Sequence, residues 1–151
     1  LSATIANRGY YVTPHIVKDV EGGKLADSLL VKHKTKVDKQ YYEMVVEGMR
    51  KAVLGGTCRS ANTSMYEVCG KTGTAQNRGK DHSAFMGFAP KDNPKIAIAV
   101  YVENGGFGAT FGVPIGSLMM EQYINGELSP GSEAKAAAFQ SRHISYGTYE
   151  R

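Results

Sequence analysis

Three extended runs joined by short polar connections, residues 66–76, 83–89 and 95–103, constrain this chain most. The third is the clearest. Small residues at 97 and 99 alternate with larger ones at 96, 98, 100 and 102, so its two faces pack against different surroundings. The connections, residues 77–82 and the turn Pro90-Lys91-Asp92-Asn93-Pro94, are too short for a crossover, which makes the three runs antiparallel neighbours. A helix is predicted after Asp38, a good N-cap, with Tyr41, Val45, Gly48, Met49 and Ala52 on one face and Gly55-Gly56 at its end. A second helix takes Pro114 in its first turn, carries the stripe Ile115, Leu118, Met119 and Tyr123, and stops at Gly126. Strands and helices together give an α/β (α+β) fold, an antiparallel sheet flanked by helices.

Elsewhere the pattern is weaker. Residues 1–9 read as the end of a helix closed by Gly9, so a longer parent polypeptide is expected to precede Leu1. Residues 10–20 look extended, residues 21–24 form a turn, and residues 25–37 read as a short strand and loop. Residues 129–151 read as a flexible tail with a short helix, in which Ser132 is placed as the N-cap. At 151 residues, 42% hydrophobic and 21% charged, the chain can bury one core. A formal charge of +4 is spread along the chain without interleaved aromatics, which argues against a nucleic-acid partner. No apolar run approaches the roughly 20 residues that span a bilayer.

The segment Val68-Cys69-Gly70-Lys71-Thr72-Gly73-Thr74-Ala75-Gln76 carries chemistry. A carboxylate is bound by a cation and hydroxyl donors, and an acyl-transfer oxyanion needs preorganised amides. Lys71 supplies the positive potential, and Thr72 and Thr74 supply hydroxyls. Gly73 lets a ligand backbone lie close to the strand, and the Thr74 amide is a candidate oxyanion donor. Lys-Thr-Gly alone arises by chance in about 3% of chains this long, so the flanking strands give it its weight. Other arrangements carry less. Ser60-Ala61-Asn62 and Ser132-Glu133-Ala134-Lys135 match serine-enzyme patterns expected by chance about once in every two or three such chains. Asp81-His82-Ser83 is no triad, because neighbours on a strand point to opposite faces. His15, His33, His82 and His143 lack metal-ligand spacing, and neither a metal nor a cofactor is expected. Cys58 and Cys69 would close a 12-residue loop worth about 3 kcal/mol if bonded; the alternative is two small buried thiols, the usual state of free cysteine.

Residues 1–128 resemble the C-terminal part of the transpeptidase domain of class B penicillin-binding proteins, most like the elongation type, penicillin-binding protein 2. The resemblance rests on Arg8-Gly9-Tyr10-Tyr11-Val12-Thr13-Pro14-His15, Val46-Glu47-Gly48-Met49, Gly55-Gly56-Thr57, Cys69 through Gln76, Gly87-Phe88-Ala89-Pro90 and Val100 through Gly106, in that order. It implies a five-stranded antiparallel sheet between helix layers. It also implies a membrane-anchored parent on the periplasmic side of the cytoplasmic membrane, where a serine attacks the D-Ala-D-Ala bond of a peptidoglycan stem peptide. β-Lactams would trap the same acyl-enzyme. By this resemblance Lys71, Thr72, Gly73 and Thr74 bind substrate and the Thr74 amide serves the oxyanion. The family's order is Ser-x-x-Lys, Ser-x-Asn, Lys-Thr-Gly, and no Ser-x-x-Lys stands upstream of Lys71. The nucleophile is therefore expected in the missing N-terminal part, and this chain alone is expected to be inactive. A homodimer of the chain is a further expectation, since surfaces that meet the missing part would be left open. A β-lactamase or β-lactam sensor shares the Lys-Thr-Gly strand, and a non-catalytic interaction module could keep the scaffold; residues 87–90 and 103–106 favour the penicillin-binding protein.

Overall fold

The computed structural model describes residues 1–144. Helix α1 (Ser2–Ala6) is followed by β1 (Tyr10–Tyr11), α2 (Asp27–Leu30), β2 (His33–Lys34) and α3 (Lys39–Leu54). A 3-10 turn (Arg59–Ala61) leads into β3 (Cys69–Ala75), β4 (His82–Ala89) and β5 (Ile96–Val102), and α4 (Gly112–Asn125) and α5 (Pro130–Gln140) complete the order. The three sequence-predicted strands form one antiparallel sheet in the order β3-β4-β5. Its register runs Lys71↔Met86↔Ala99 and Gly73↔Ala84↔Tyr101. β1 and β2 pair separately as a two-stranded ribbon, so the main sheet has three strands where the resemblance implied five.

The pleat sorts the sheet into two faces. One carries Phe85, Ala89 and Ile98, which pack with Val113 and Met120 of α4 and with Val53, Cys58, Ala61 and Val68. The other carries Cys69 and Phe88, which pack with Ile5 and Ala6 of α1 and with Tyr42, Val46 and Met49 of α3. This second layer covers only one end of its face. Polar contacts pin the layers. Ser2 Oγ donates to the Gly87 carbonyl at 2.6 Å, joining α1 to β4. The Gly112 amide, one of the unpaired donors at the start of α4, donates to Ser83 Oγ at 3.0 Å. Buried Arg50 of α3 holds the entry to β3 through Glu67 and the Val68 carbonyl.

Several sequence expectations are corrected. The buried face of α3 is Tyr42, Val46, Met49 and Val53, while Tyr41 and Val45 are exposed. On α4, Val113, Gly116 and Met120 are buried and Met119 and Tyr123 are exposed, so that stripe too is rotated by one residue. Both helices carry apolar residues on adjacent stripes, and periodicity cannot choose between them. Residues 25–37 form a helical turn as well as a short strand, and only Tyr10 and Tyr11 of the expected extended run 10–20 join a strand. Ser129, not Ser132, caps α5, with Pro130 in its first turn. Gly126, at φ 82°, does stop α4 in the left-handed conformation a β-carbon disfavours. Cys58 and Cys69 are free buried thiols in different core clusters, so the disulfide entertained from the sequence is not formed. Among the described residues no helix is long and apolar enough to cross a membrane. Residues 145–151 of the expected tail lie outside the described residues.

Candidate active site

Lys71, Thr72, Gly73 and Thr74 occupy consecutive positions of β3, which among the described residues is an outermost strand bonded on one side only. The pleat turns Lys71 and Gly73 toward the half-covered face and Thr72 and Thr74 toward the α4 face. Lys71 Nζ reaches across the edge and donates to the Thr72 carbonyl at 2.8 Å. The Thr72 amide is directed at the Cys58 sulfur. Both main-chain groups of Thr72 therefore face away from β4. In an antiparallel ladder alternate residues share an edge, so the Thr74 amide and carbonyl face the same free edge.

Behind the edge lies a contact the sequence reading missed. Thr57 Oγ1 and Thr72 Oγ1 are 2.7 Å apart. A hydroxyl has one proton and two lone pairs. With Thr57 donating, the Thr72 proton is free for an incoming acceptor. The only signal in sequence was Gly55-Gly56-Thr57 before the loop. Gly108 was also missed. A β-carbon there would meet the Ala84 carbonyl at 2.4 Å and the Gly73 carbonyl at 2.7 Å, so the 104–111 loop rests directly on the sheet only because that residue is glycine. At Gly73 a β-carbon would meet the Ala84 β-carbon at 3.3 Å, on the half-covered face rather than along the edge.

Two hollows flank the strand. One, about 350 Å³, lies over the uncovered end of the sheet face and is lined by Lys71, Gly73, Ala84, Met86, Ala99 and Tyr101. Its lining is almost wholly apolar around one ammonium group. The second, about 310 Å³, is bounded by Thr57, Arg59, Ser60 and Ala109. Cys58, between them, has its thiol pushed up by burial, against the opposing pull of the Thr57 hydroxyl, the Thr72 amide and the Lys71 charge. Burial pushes Cys69 up to about 11. Neither sulfur is therefore a nucleophile at neutral pH.

Of the serine patterns, Ser132 falls elsewhere, while Ser60 borders the second hollow as well. Ser60, Ser132 and Lys135 line a third cavity of about 180 Å³, with Pro114, Ser117 and Phe139. Ser132 Oγ donates to Glu121 Oε2 at 2.6 Å and the Ser129 amide to Glu121 Oε1 at 2.8 Å, fastening α5 to α4. Burial raises the Glu121 carboxyl, but these donors outweigh it and hold the group below its ordinary value. A hydroxyl spent on so weak a base is a fastening, not an activated nucleophile. Asp81, His82 and Ser83 diverge. Asp81 accepts from the Asn77 amide, His82 Nδ1 accepts from the Asn104 amide at 2.9 Å, and Ser83 Oγ donates to the Phe107 carbonyl on the other face. Among the described residues no group of three His, Cys, Asp or Glu side chains could hold a metal ion.

Known proteins are similar to this chain in sequence and fold. Residues 1–121 match the family described as the penicillin binding protein transpeptidase domain. The chain is 35% identical over 131 residues to peptidoglycan D,D-transpeptidase MrdA of Acinetobacter baumannii, covering 72% of this chain and 19% of that protein. It is similar in structure to Pseudomonas aeruginosa PBP2 solved with WCK 5153, with a TM-score of 0.70 and 35% identity over 86% of this chain and 30% of that one. It is also similar to penicillin-binding protein A of M. tuberculosis solved as a ceftriaxone acyl-enzyme, with a TM-score of 0.68 and 27% identity over 82% of this chain and 30% of that one. The chain thus spans less than a third of each of these relatives. The match over residues 1–121, the MrdA and PBP2 likenesses and the Lys-Thr-Gly edge strand together identify the chain as a member of the penicillin-binding protein transpeptidase family, of class B and similar to penicillin-binding protein 2.

Proposed function

We propose that this chain is the carboxylate-binding part of a serine D,D-transpeptidase that cross-links peptidoglycan stem peptides and is acylated by β-lactams. The observation that carries the reading is the open edge of β3, where Thr72 and Thr74 turn main-chain groups outward beside the Lys71 ammonium. A stem peptide ending in D-Ala-D-Ala lies along this edge as an added strand. Its terminal carboxylate takes the hydroxyls of Thr72 and Thr74 under the Lys71 potential. The scissile carbonyl oxygen points at the Thr74 amide, which stabilises the oxyanion as the tetrahedral centre forms.

The nucleophilic serine, the second oxyanion amide and the Lys that activates the serine belong to the polypeptide preceding these residues. Ser60 and Ser132 do not substitute for them: Ser132 is fastened to Glu121, and neither residue lines the hollow beside Lys71. The bare apolar end of the sheet face, over Ala84, Met86, Ala99 and Tyr101, is the seat of that preceding part. The chain alone has no acyl-transfer activity. The parent is anchored in the cytoplasmic membrane and works on its outer side, where the stem peptides are.

The clamp is tested without the nucleophile. In an amide NMR titration, N-acetyl-D-Ala-D-Ala is expected to shift the Thr72 and Thr74 signals, and the same dipeptide with its carboxylate amidated is expected to leave them unmoved. Equal shifts from both ligands, or shifts confined to the Ser132–Lys135 cavity, would contradict the assignment.

A further inference from the structure

The segment 107–111, between β5 and α4, stands directly behind the carboxylate clamp. Gly108 lies so close to the sheet that a β-carbon on it would meet the Thr72 β-carbon at 2.9 Å and the Gly73 carbonyl at 2.7 Å. The Thr72 side chain is thus bracketed: Thr57 meets its hydroxyl, and the Gly108 main chain backs its β-carbon. Ala109, the next residue, bounds the hollow of about 310 Å³ beside Thr57. A shift of this segment therefore moves a wall of the clamp.

The segment is held from two sides. On the sheet side, Ser83 Oγ donates to the Phe107 carbonyl at 2.8 Å and accepts from the Gly112 amide at 3.0 Å, so one hydroxyl fixes both ends. Between those ends the Thr110 amide donates to the Phe107 carbonyl and the Val113 amide to the Gly108 carbonyl. On the outer side stands the far end of α5. The Phe139 ring meets the Phe111 ring edge-on, with centroids 5.8 Å apart. The Arg142 guanidinium lies over both rings, 4.8 Å from the Phe111 centroid and 5.0 Å from that of Phe139. At such distances a cation is attracted by the negative ring faces. Its Nη1 also donates to the Thr110 carbonyl at 3.3 Å. A planar guanidinium can stack and donate at once, which an ammonium does less well. The family match ends at residue 121, so this outer clasp is built from residues beyond it.

We propose that Arg142 is a positioning residue for the carboxylate clamp: with Phe139 it locks the 107–111 segment against Thr72 and so sets the affinity of β3 for a terminal carboxylate. The clasp acts on the segment whatever the ligand, while its effect on the carboxylate rests on the transpeptidase reading.

Two measurements on the 151-residue chain test it. The first needs no ligand. In Arg142→Ala the Thr110 and Val113 amides are expected to exchange roughly three- to fivefold faster, with β4 and β5 amides unchanged. In the second, the dissociation constant for N-acetyl-D-Ala-D-Ala, read from the Thr72 and Thr74 amide signals, is expected to rise by a similar roughly three- to fivefold factor. Arg142→Lys, which keeps a cation over the rings and a donor for the Thr110 carbonyl, is expected to recover most of both effects. The thermal midpoint is expected to stay unchanged in each variant, since Arg142 is exposed. Unchanged exchange at Thr110 and Val113 in Arg142→Ala overturns the proposal and leaves Ser83 as a sufficient anchor. Faster exchange with an unchanged dissociation constant also overturns it, because the segment then moves without disturbing the clamp. Failure of the unaltered chain to bind the dipeptide is a separate result: it strikes the transpeptidase reading, and the proposal falls with it.

Discussion

At the scale of single residues, the site divides into groups that face a ligand and groups that hold them in place. In the proposed site Thr72 is the first kind and Thr57 the second. With Thr57 donating across the 2.7 Å contact, one lone pair of the Thr72 hydroxyl is taken and its proton is left for a ligand. Thr57→Val in a longer, acylating form of the polypeptide is expected to slow the second-order rate of β-lactam acylation roughly three- to tenfold, the worth of about one hydrogen bond. Thr57→Ser is expected to restore it, and the thermal midpoint is expected to move little. Lys71 through Thr74 were singled out in the sequence because a ligand-binding strand needs a cation, hydroxyls and glycine in one short run, and the structure sets them on consecutive positions of β3. Thr57 was not, because its role comes from a contact across a 15-residue separation. Gly108 was equally hidden, since nothing local marks a glycine that a distant strand requires. The free thiols illustrate the reverse case: spacing suggested a loop that a disulfide could close, yet Cys58 and Cys69 belong to different layers of the core.

At the scale of elements, the strands were readable and the helix faces were not. Alternation with period two sorts β5 without ambiguity, because small and branched residues take opposite faces. In α3 the stripes Tyr41–Val45 and Tyr42–Val46–Met49–Val53 are both apolar, and only packing selects the second: Tyr42, Val46 and Met49 lie with Cys69 and Phe88, and Val53 lies with Cys58 and Val68. The α4–α5 junction rests on one carboxylate. Glu121 accepts from Ser132 Oγ and from the Ser129 amide, and its folded-state carboxyl titrates below its ordinary value because those donors outweigh burial. A depressed carboxyl stabilises the fold above its unfolded-state value and loses that contribution as pH falls through the folded-state value. Acidification below the ordinary carboxylate range is therefore expected to release α5 before the sheet. Hydrogen exchange across that range reads this directly, as early loss of protection in residues 130–140. Glu121→Gln is expected to lower stability by about 1–2 kcal/mol at neutral pH and to flatten the acid dependence. Unchanged exchange in α5 would show that apolar contacts of Phe139 with Phe111, and not the carboxylate, hold the helix.

At the scale of the whole molecule, the three-stranded sheet is closed on one face by α4 and only half closed on the other by α1 and α3. The uncovered half borders Lys71, while Thr72 and Thr74 of the same strand face the α4 side. The order of the strands and the likeness to class B penicillin-binding proteins followed from sequence, because the motif strand and its neighbours are contiguous. Which strands stand outermost among the described residues did not, since sequence shows which residues make strands and not how those strands are ordered against others. In the proposed division of labour this chain binds the carboxylate and another part of the polypeptide supplies the serine. Intact-mass analysis after incubation with benzylpenicillin tests that division most directly. This chain is expected to show no adduct, and a longer polypeptide that includes the preceding residues is expected to gain one penicilloyl group on a serine within those preceding residues. An adduct on Ser60 or Ser132 of this chain alone would contradict the account and make it a complete, rearranged enzyme.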